Sequence, residues 1–205
     1  MNSSEHTAGF ILAGGESSRM GRDKALLPLD GVPLVVRTAR LVESVLRCIP
    51  TVIGRPEIFK PLDLRAIQDD WPGAGPLGGI ATALRASESA WNLIVACDLP
   101  YLTKEWLEFL VRRALISQAS AVIPASDRGI EPLCAMYHKR CESAVWLALD
   151  RGTRKVTECL TGVSVERIEP IEWKSYDSEG FLLKNMNSPQ DYEEARRRLE
   201  GCGRR

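Results

Sequence analysis

The chain has 205 residues, with 27 Lys plus Arg against 27 Asp plus Glu, so its formal net charge is zero. That balance excludes the broad basic field of a nucleic-acid binder, and the length suits one α/β domain with a substantial core rather than two. No apolar stretch approaches the roughly 20 residues of a membrane span. Six cysteines (48, 97, 134, 141, 159 and 202) form no Cys-x-x-Cys pair, and two histidines, His6 and His138, are too few for a His-based zinc site or a triad. The polar start, 1–7, lacks the apolar core of a secretory signal. The expectation is a single cytoplasmic domain over 1–205 with reduced thiols, flexible at 1–7 and 201–205, and with neither membrane nor nucleic acid as partner.

Apolar runs rich in β-branched residues alternate with stretches of helical period, which predicts an α/β fold with a mostly parallel sheet between helices. The first strand, 8–13, runs into Leu12-Ala13-Gly14-Gly15-Glu16-Ser17-Ser18-Arg19-Met20-Gly21-Arg22-Asp23-Lys24. Glycines 14, 15 and 21 permit positive φ and a close ligand; Ser17 and Ser18 supply donors, and Arg19 and Lys24 fixed charge. Neither a P-loop nor a Gly-x-Gly-x-x-Gly fingerprint fits the spacing. An ordinary strand-to-helix turn with a basic rim is the plain alternative; three glycines with Ser, Arg and Lys weigh toward a polyphosphate.

A helix over 33–47 and strands over 50–53 and 65–68 follow. The last strand leads into Asp69-Asp70-Trp71-Pro72-Gly73-Ala74-Gly75-Pro76 and a helix over 77–86 that opens with Gly78-Gly79. Glycine in a first helical turn costs about 1 kcal/mol against alanine, so the pair points to close approach of a ligand or another backbone. The strand at 92–97 ends in Asp98 and is stopped by Pro100. In open parallel sheets ligands gather at the carboxyl ends of strands, and a lone carboxylate beside a polyphosphate suits Mg²⁺. The alternative, a cap on the next helix (103–116), is weakened because Thr103 already supplies one. That helix carries Trp106, Leu107, Leu110, Val111 and Leu115 as a core stripe.

Beyond it come strands at 120–124 and 132–137, separated by a loop over 124–132, then helices at 139–149 and 153–160 and a strand at 163–168. A short strand near 181–185 and a helix at 189–200 close the chain. Asn185 and Asn187, two apart on a strand, would point the same way, while Ser188-Pro189 reads as helix entry. Arg151-Gly152-Thr153-Arg154-Lys155 reads either as a surface turn or as a dock for an anionic acceptor.

The run Leu12-Ala13-Gly14-Gly15-x-Ser17-x-Arg19-Met20-Gly21-x-Asp23-Lys24-Ala25-Leu26-Leu27 resembles the signature of the molybdenum cofactor guanylyltransferases, within the nucleotidyltransferase superfamily. Cys97-Asp98-Leu99-Pro100-Tyr101-Leu102 and Glu131-Pro132-Leu133 resemble later motifs of that family, so the likeness runs from residue 8 to 191. It implies a three-layer sandwich with a Rossmann-like sheet, the nucleotide-diphospho-sugar transferase fold, and transfer of GMP from GTP to molybdenum-loaded molybdopterin with release of pyrophosphate. The catalytic residues it implies are Lys24, Arg19 and Asp98. Nucleotide contacts fall on Leu12, Ala13, Gly14, Gly15, Lys24, Asp98 and, by spacing, Asp69, with Asp70 beside it. Asp98 holds Mg²⁺, and Glu131, Pro132, Asn185 and Asn187 fall toward the acceptor. Transient contacts with other molybdenum-cofactor proteins are also implied. One departure is visible: where some relatives carry a nucleotide-touching asparagine, this chain reads Val52-Ile53-Gly54-Arg55. The competing readings are a cytidylyl- or sugar-phosphate nucleotidyltransferase on the same fold, a non-catalytic GTP-binding module, and an unrelated α/β domain.

Overall fold

The protein is described here by a computed structural model covering residues 7–14, 23–127, 129–177 and 179–202. Thr7–Leu12 forms the central strand β1, flanked by parallel partners on both sides. Next comes a hairpin of two-residue strands, β2 (Pro28–Leu29) and β3 (Val32–Pro33). Its turn is Asp30-Gly31, with φ of 53° and 73°, the left-handed pair that a tight hairpin requires. Helix α1 (Leu34–Leu46) returns the chain to β4 (Thr51–Gly54). A single helical turn, α2 (Pro56–Phe59), precedes β5 (Ala66–Gln68) and α3 (Pro76–Ala86). Then follow β6 (Trp91–Ala96), α4 (Lys104–Ile116) and β7 (Ala121–Ser126). The chain continues through β8 (Gly129–Ile130), β9 (Cys134–His138), α5 (Glu142–Asp150) and α6 (Val156–Cys159). It closes with β10 (Val165–Ile168), α7 (Pro170–Trp173) and α8 (Pro189–Cys202).

The main sheet runs β10-β7-β9-β6-β1-β4-β5, with β8 paired to β7. Strand β9 runs antiparallel to both neighbours, and β8 antiparallel to β7; the other pairs are parallel. Alternate residues of one strand feed opposite layers. Ile94 packs with Leu77, Ile80 and Leu84 of α3 and Val145 and Leu149 of α5, whereas Leu93 and Val95 pack with Val42 and Leu46 of α1 and Trp106 and Leu110 of α4. Two helical layers over one sheet give the α/β sandwich of the nucleotide-diphospho-sugar transferase type. Thr103 caps α4 by accepting a hydrogen bond from the Trp106 amide at 3.3 Å.

Four expectations are corrected. Residues 181–185 form no strand: Lys184 N–H closes a turn on Phe181 C=O, and Leu182 and Leu183 are buried beneath α4 and β6 instead. The segment at 124–132 is not a free loop, because β7 extends to Ser126 and pairs with β8. On α4 the stripe ends with buried Ala114, while Leu115 lies at the edge of exposure. The β2–β3 hairpin, α2 and α7 have no counterpart among the expected elements. Two-residue strands and single helical turns carry too little period to be read.

Candidate active site

Parallel pairing sets three strand ends side by side. Leu12 of β1 is in register with Ile53 of β4 and with Ala96 of β6. The residues that follow each strand therefore meet on one edge of the sheet: Ala13-Gly14, Gly54-Arg55 and Cys97-Asp98. A cleft lies along that edge. Its smaller end, about 130 Å³, is lined by Gly14, Asp23, Lys24, Cys97, Asp98 and Leu133. Its larger end, about 530 Å³, is lined by residues that include Gly54, Arg55, Gln68, Asp69, Gly73 and Gly79. Leu12, Gly14 and Pro76 border both ends.

Lys24 and Asp98 meet at the smaller end. The Lys24 Nζ donates to Asp98 Oδ2 at 2.8 Å and to Asn187 Oδ1 at 2.9 Å. Each conclusion of this geometry has a local cause. Asp23 caps the turn Lys24–Leu26 by accepting from the Ala25 amide at 3.0 Å, and its other oxygen pairs with Arg55 at 2.5 Å. The Met186 amide donates to the Asp98 carbonyl at 2.9 Å, which pins the Asn187 segment beside the strand end. Asp191 Oδ2 accepts from the amides of Asn187 (3.0 Å) and Ser188 (2.8 Å) and from the Ser188 hydroxyl, which holds its carboxyl below the usual range. Ser188 is thus spent on the entry to α8, while Asn187 reaches the lysine.

Asp98 Oδ1 is buried and has no hydrogen-bond partner among the described residues. A buried carboxylate oxygen left so costs on the order of 1–3 kcal/mol or more, and a bound cation would relieve it. Among the described residues no three His, Cys, Asp or Glu side chains cluster. That donor set does not suit zinc; it fits a hard cation that takes one protein carboxylate and completes its shell with phosphate and water.

Asp69 and Asp70 part company. Asp69 lines the larger end of the cleft, its Oδ1 fixed by the Trp71 amide (2.9 Å) and the Thr82 hydroxyl (3.0 Å). Asp70 turns outward to Arg85 at 3.3 Å. At Leu12 and Ala13 the sheet already uses part of the backbone: Ala13 N–H donates to Ile53 C=O at 3.0 Å, and Leu12 C=O accepts from Cys97 N–H at 3.1 Å. Gly14 does not use the positive φ that glycine permits, and among the described residues a Cβ there would meet nothing closer than Gly54 Cα at 3.9 Å. Among the described residues nothing demands glycine at 14. At Gly78 the cause is another backbone: a Cβ would lie 2.8 Å from the Trp71 carbonyl oxygen. Gly15 and Arg19 fall outside the described residues.

The acceptor-side candidates are split. Leu133 borders the small end of the cleft, but Glu131 and Pro132 line neither end. Glu131 accepts from Ser126 Oγ at 2.6 Å, and the Pro132 carbonyl accepts from the buried Tyr137 hydroxyl at 2.8 Å. Asn185 is half-buried and, with Asn187, stands on an irregular segment, so the strand geometry expected for the two amides does not hold. The 151–155 turn closes α5, with Gly152 N–H on Leu149 C=O and Gly152 at φ 83°, away from both ends of the cleft.

Burial keeps the described thiols protonated. Burial, with the Asp98 charge adding to it, pushes Cys97 up to about 12, and burial pushes Cys134 and Cys141 to about 12. Cysteines 48, 97, 134, 141 and 159 are free. His138 caps the turn that precedes α5 and stacks edge-on against Trp91, and burial lowers its pKa. Two residues quoted with the motifs but given no role by the sequence reading matter here, Asp23 and Arg55. The signal for Asp23 was its position two before Ala25, in cap spacing; a contact between β4's end and the Lys24 turn leaves no sequence trace. Among the described residues no helix is long and apolar enough to cross a membrane.

The family model of the MobA-like NTP transferase domain matches residues 9–166. A probable molybdenum cofactor guanylyltransferase of Trichormus variabilis is 36% identical over 186 residues, covering 89% of this chain and 86% of that protein. One from Opitutus terrae is 34% identical over 197 residues, covering 93% and 95%. The crystal structure of molybdopterin-guanine dinucleotide biosynthesis protein A from Archaeoglobus fulgidus superposes with a TM-score of 0.82 at 25% identity, covering 97% of this chain and all of that one. The chain belongs to the MobA-like NTP transferase family.

Proposed function

We propose that the protein transfers GMP from GTP to molybdopterin, in its molybdenum-loaded form, and releases pyrophosphate. The observation that carries this reading is the Lys24–Asp98–Asn187 cluster at the carboxyl edge of the sheet, in a chain whose relatives are named as molybdenum cofactor guanylyltransferases. In the reaction an oxygen of the molybdopterin phosphate forms a bond to the α-phosphorus of GTP, and the bond from that phosphorus to the β-phosphate bridge breaks.

Such a transfer asks the protein for positioning and charge, with no covalent intermediate. Lys24 would neutralise charge that builds on the triphosphate and on departing pyrophosphate. Asp98 would hold Mg²⁺ through its unpartnered oxygen, and the ion would supply charge neutralisation between phosphate oxygens. Asn187 fixes the lysine ammonium in place, so that it reaches substrate without a search through rotamers. Asp69 lines the larger end, where base and ribose fit, and Gly14 leaves the floor of the cleft open. Arg19 belongs to the same motif and would add charge toward the triphosphate. The assembly of lysine, carboxylate and amide favours catalysis over a passive GTP-binding module, which needs no such cluster.

The test is pyrophosphate release from GTP and, in parallel, from CTP, with Mg²⁺ and molybdate-loaded molybdopterin as acceptor. Release with GTP, absent in Asp98→Ala, is expected. Release with CTP alone would move the protein to a cytidylyl reaction on the same fold. Release with neither would overturn the proposal.

A further inference from the structure

Arg55 is left without a role by the reaction chemistry, yet it lines the larger end of the cleft. The preceding position carries no side chain and is crowded: a Cβ on Gly54 would lie 3.1 Å from the Phe59 ring and 3.2 Å from the Ala13 carbonyl oxygen. The first side chain past β4 able to reach the cleft therefore belongs to Arg55. One of its nitrogens, Nη2, is held by Asp23 Oδ2 at 2.5 Å, and no other partner is recorded for it among the described residues. A guanidinium has five N–H groups in a rigid planar fork, and one carboxylate oxygen engages only a corner of it. Its side chain is 57% exposed, so the rest of the fork stands open to whatever enters.

Resting on the GTP reading, we infer that Arg55 selects the base by donating to O6 and N7 of guanine. Guanine presents two adjacent acceptors on that edge, which a planar fork matches with two parallel bonds. Adenine sets an amino donor beside N7, and cytosine has an amino donor and no N7, so each would leave an arginine hydrogen unpaired or facing another donor. Asp23 orients the fork and, through its bond to the Ala25 amide, belongs to the same turn as Lys24. The base contact and the catalytic lysine thus share one support.

The test is equilibrium binding of GTP, 7-deaza-GTP (which lacks the N7 acceptor) and ATP to the full chain with Mg²⁺, without the molybdopterin acceptor. The chain should bind GTP on the order of tenfold or more tighter than either analogue. Arg55→Ala and Arg55→Lys should bring GTP and 7-deaza-GTP to parity, because lysine restores charge but not the fork. Both variants alter an exposed side chain and should keep the native circular dichroism. Equal binding of GTP and 7-deaza-GTP by the unaltered chain would overturn the inference, as would discrimination that survives in Arg55→Ala. A loss of affinity for both nucleotides by one factor would put Arg55 on the triphosphate and overturn it too. Failure of the unaltered chain to bind GTP at all would strike the proposed function itself, before any variant is compared.

Discussion

The Lys24 ammonium lies 2.8 Å from Asp98 Oδ2, an ion pair closed between residues 74 positions apart. It leaves the second Asp98 oxygen buried and without a partner among the described residues. One carboxylate thus anchors the lysine on one side, and the proposed function gives its other side to Mg²⁺. That asymmetry organises the first prediction.

Asp98→Asn keeps the shape of the side chain and removes its charge. Turnover should fall on the order of a hundredfold or more, as for loss of one preorganised electrostatic group. Pyrophosphate release at saturating GTP measures the fall. Far-ultraviolet circular dichroism should be unchanged, since Pro100 and Thr103 fix the start of α4 without Asp98.

Lys24→Ala should likewise lose kcat, while stability changes by only about 1 kcal/mol, because the pair retains solvent access at 17% and 20%. Thermal melts separate the two effects. A large drop in melting temperature with turnover retained would make the pair a structural brace.

Gly14 and Gly78 make opposite predictions. Among the described residues a methyl group at 14 meets nothing closer than 3.9 Å, so Gly14→Ala should melt like the unaltered chain yet raise KM for GTP, by obstructing the cleft floor. At 78 the same change presses on the Trp71 carbonyl oxygen, and Gly78→Ala should cost about 1–3 kcal/mol of stability. Melting curves and KM for the two variants, compared side by side, check both.

Acid should loosen the α4 edge through Glu166. Burial alone would raise this carboxyl, but hydrogen bonds from Ser117 and Arg113 outweigh it and hold the group below its ordinary 4.5. A depressed carboxylate stabilises the fold in full above its unfolded pKa, and that contribution is lost as pH falls through the lower, folded value. Melting temperature should therefore drop more steeply below about pH 4.5 in the unaltered chain than in Glu166→Gln, which has no such contribution to lose.

The parts of the site that lie within one short stretch were legible in the sequence. The Leu12–Gly14 strand end and Asp98 were readable because a buried apolar run gives way abruptly to glycine or charge. Asp69 against Asp70 was not, since both follow β5 and partners on the next helix separate their carboxylates, Thr82 bonding the first and Arg85 the second. Asn187 was singled out for the wrong geometry. The apolar Phe181-Leu182-Leu183 run mimics a strand but is a packing segment, and the contact of Asn187 with Lys24 spans 163 positions. Gly78 signalled close approach correctly, though the neighbour is the Trp71 backbone. The β2–β3 hairpin, which carries buried Leu29 against Met186 and Ala195 of the C-terminal segment, is too short for any periodic signal.

The most direct measurement follows the fate of each phosphate. GTP labelled at the α-phosphate is incubated with the protein, Mg²⁺ and molybdenum-loaded molybdopterin, beside GTP labelled at the γ-phosphate. The account predicts α-label in a molybdopterin guanine dinucleotide and γ-label in pyrophosphate, with both products absent in Asp98→Asn. Label released as inorganic phosphate, or a dinucleotide formed undiminished by Asp98→Asn, would contradict it.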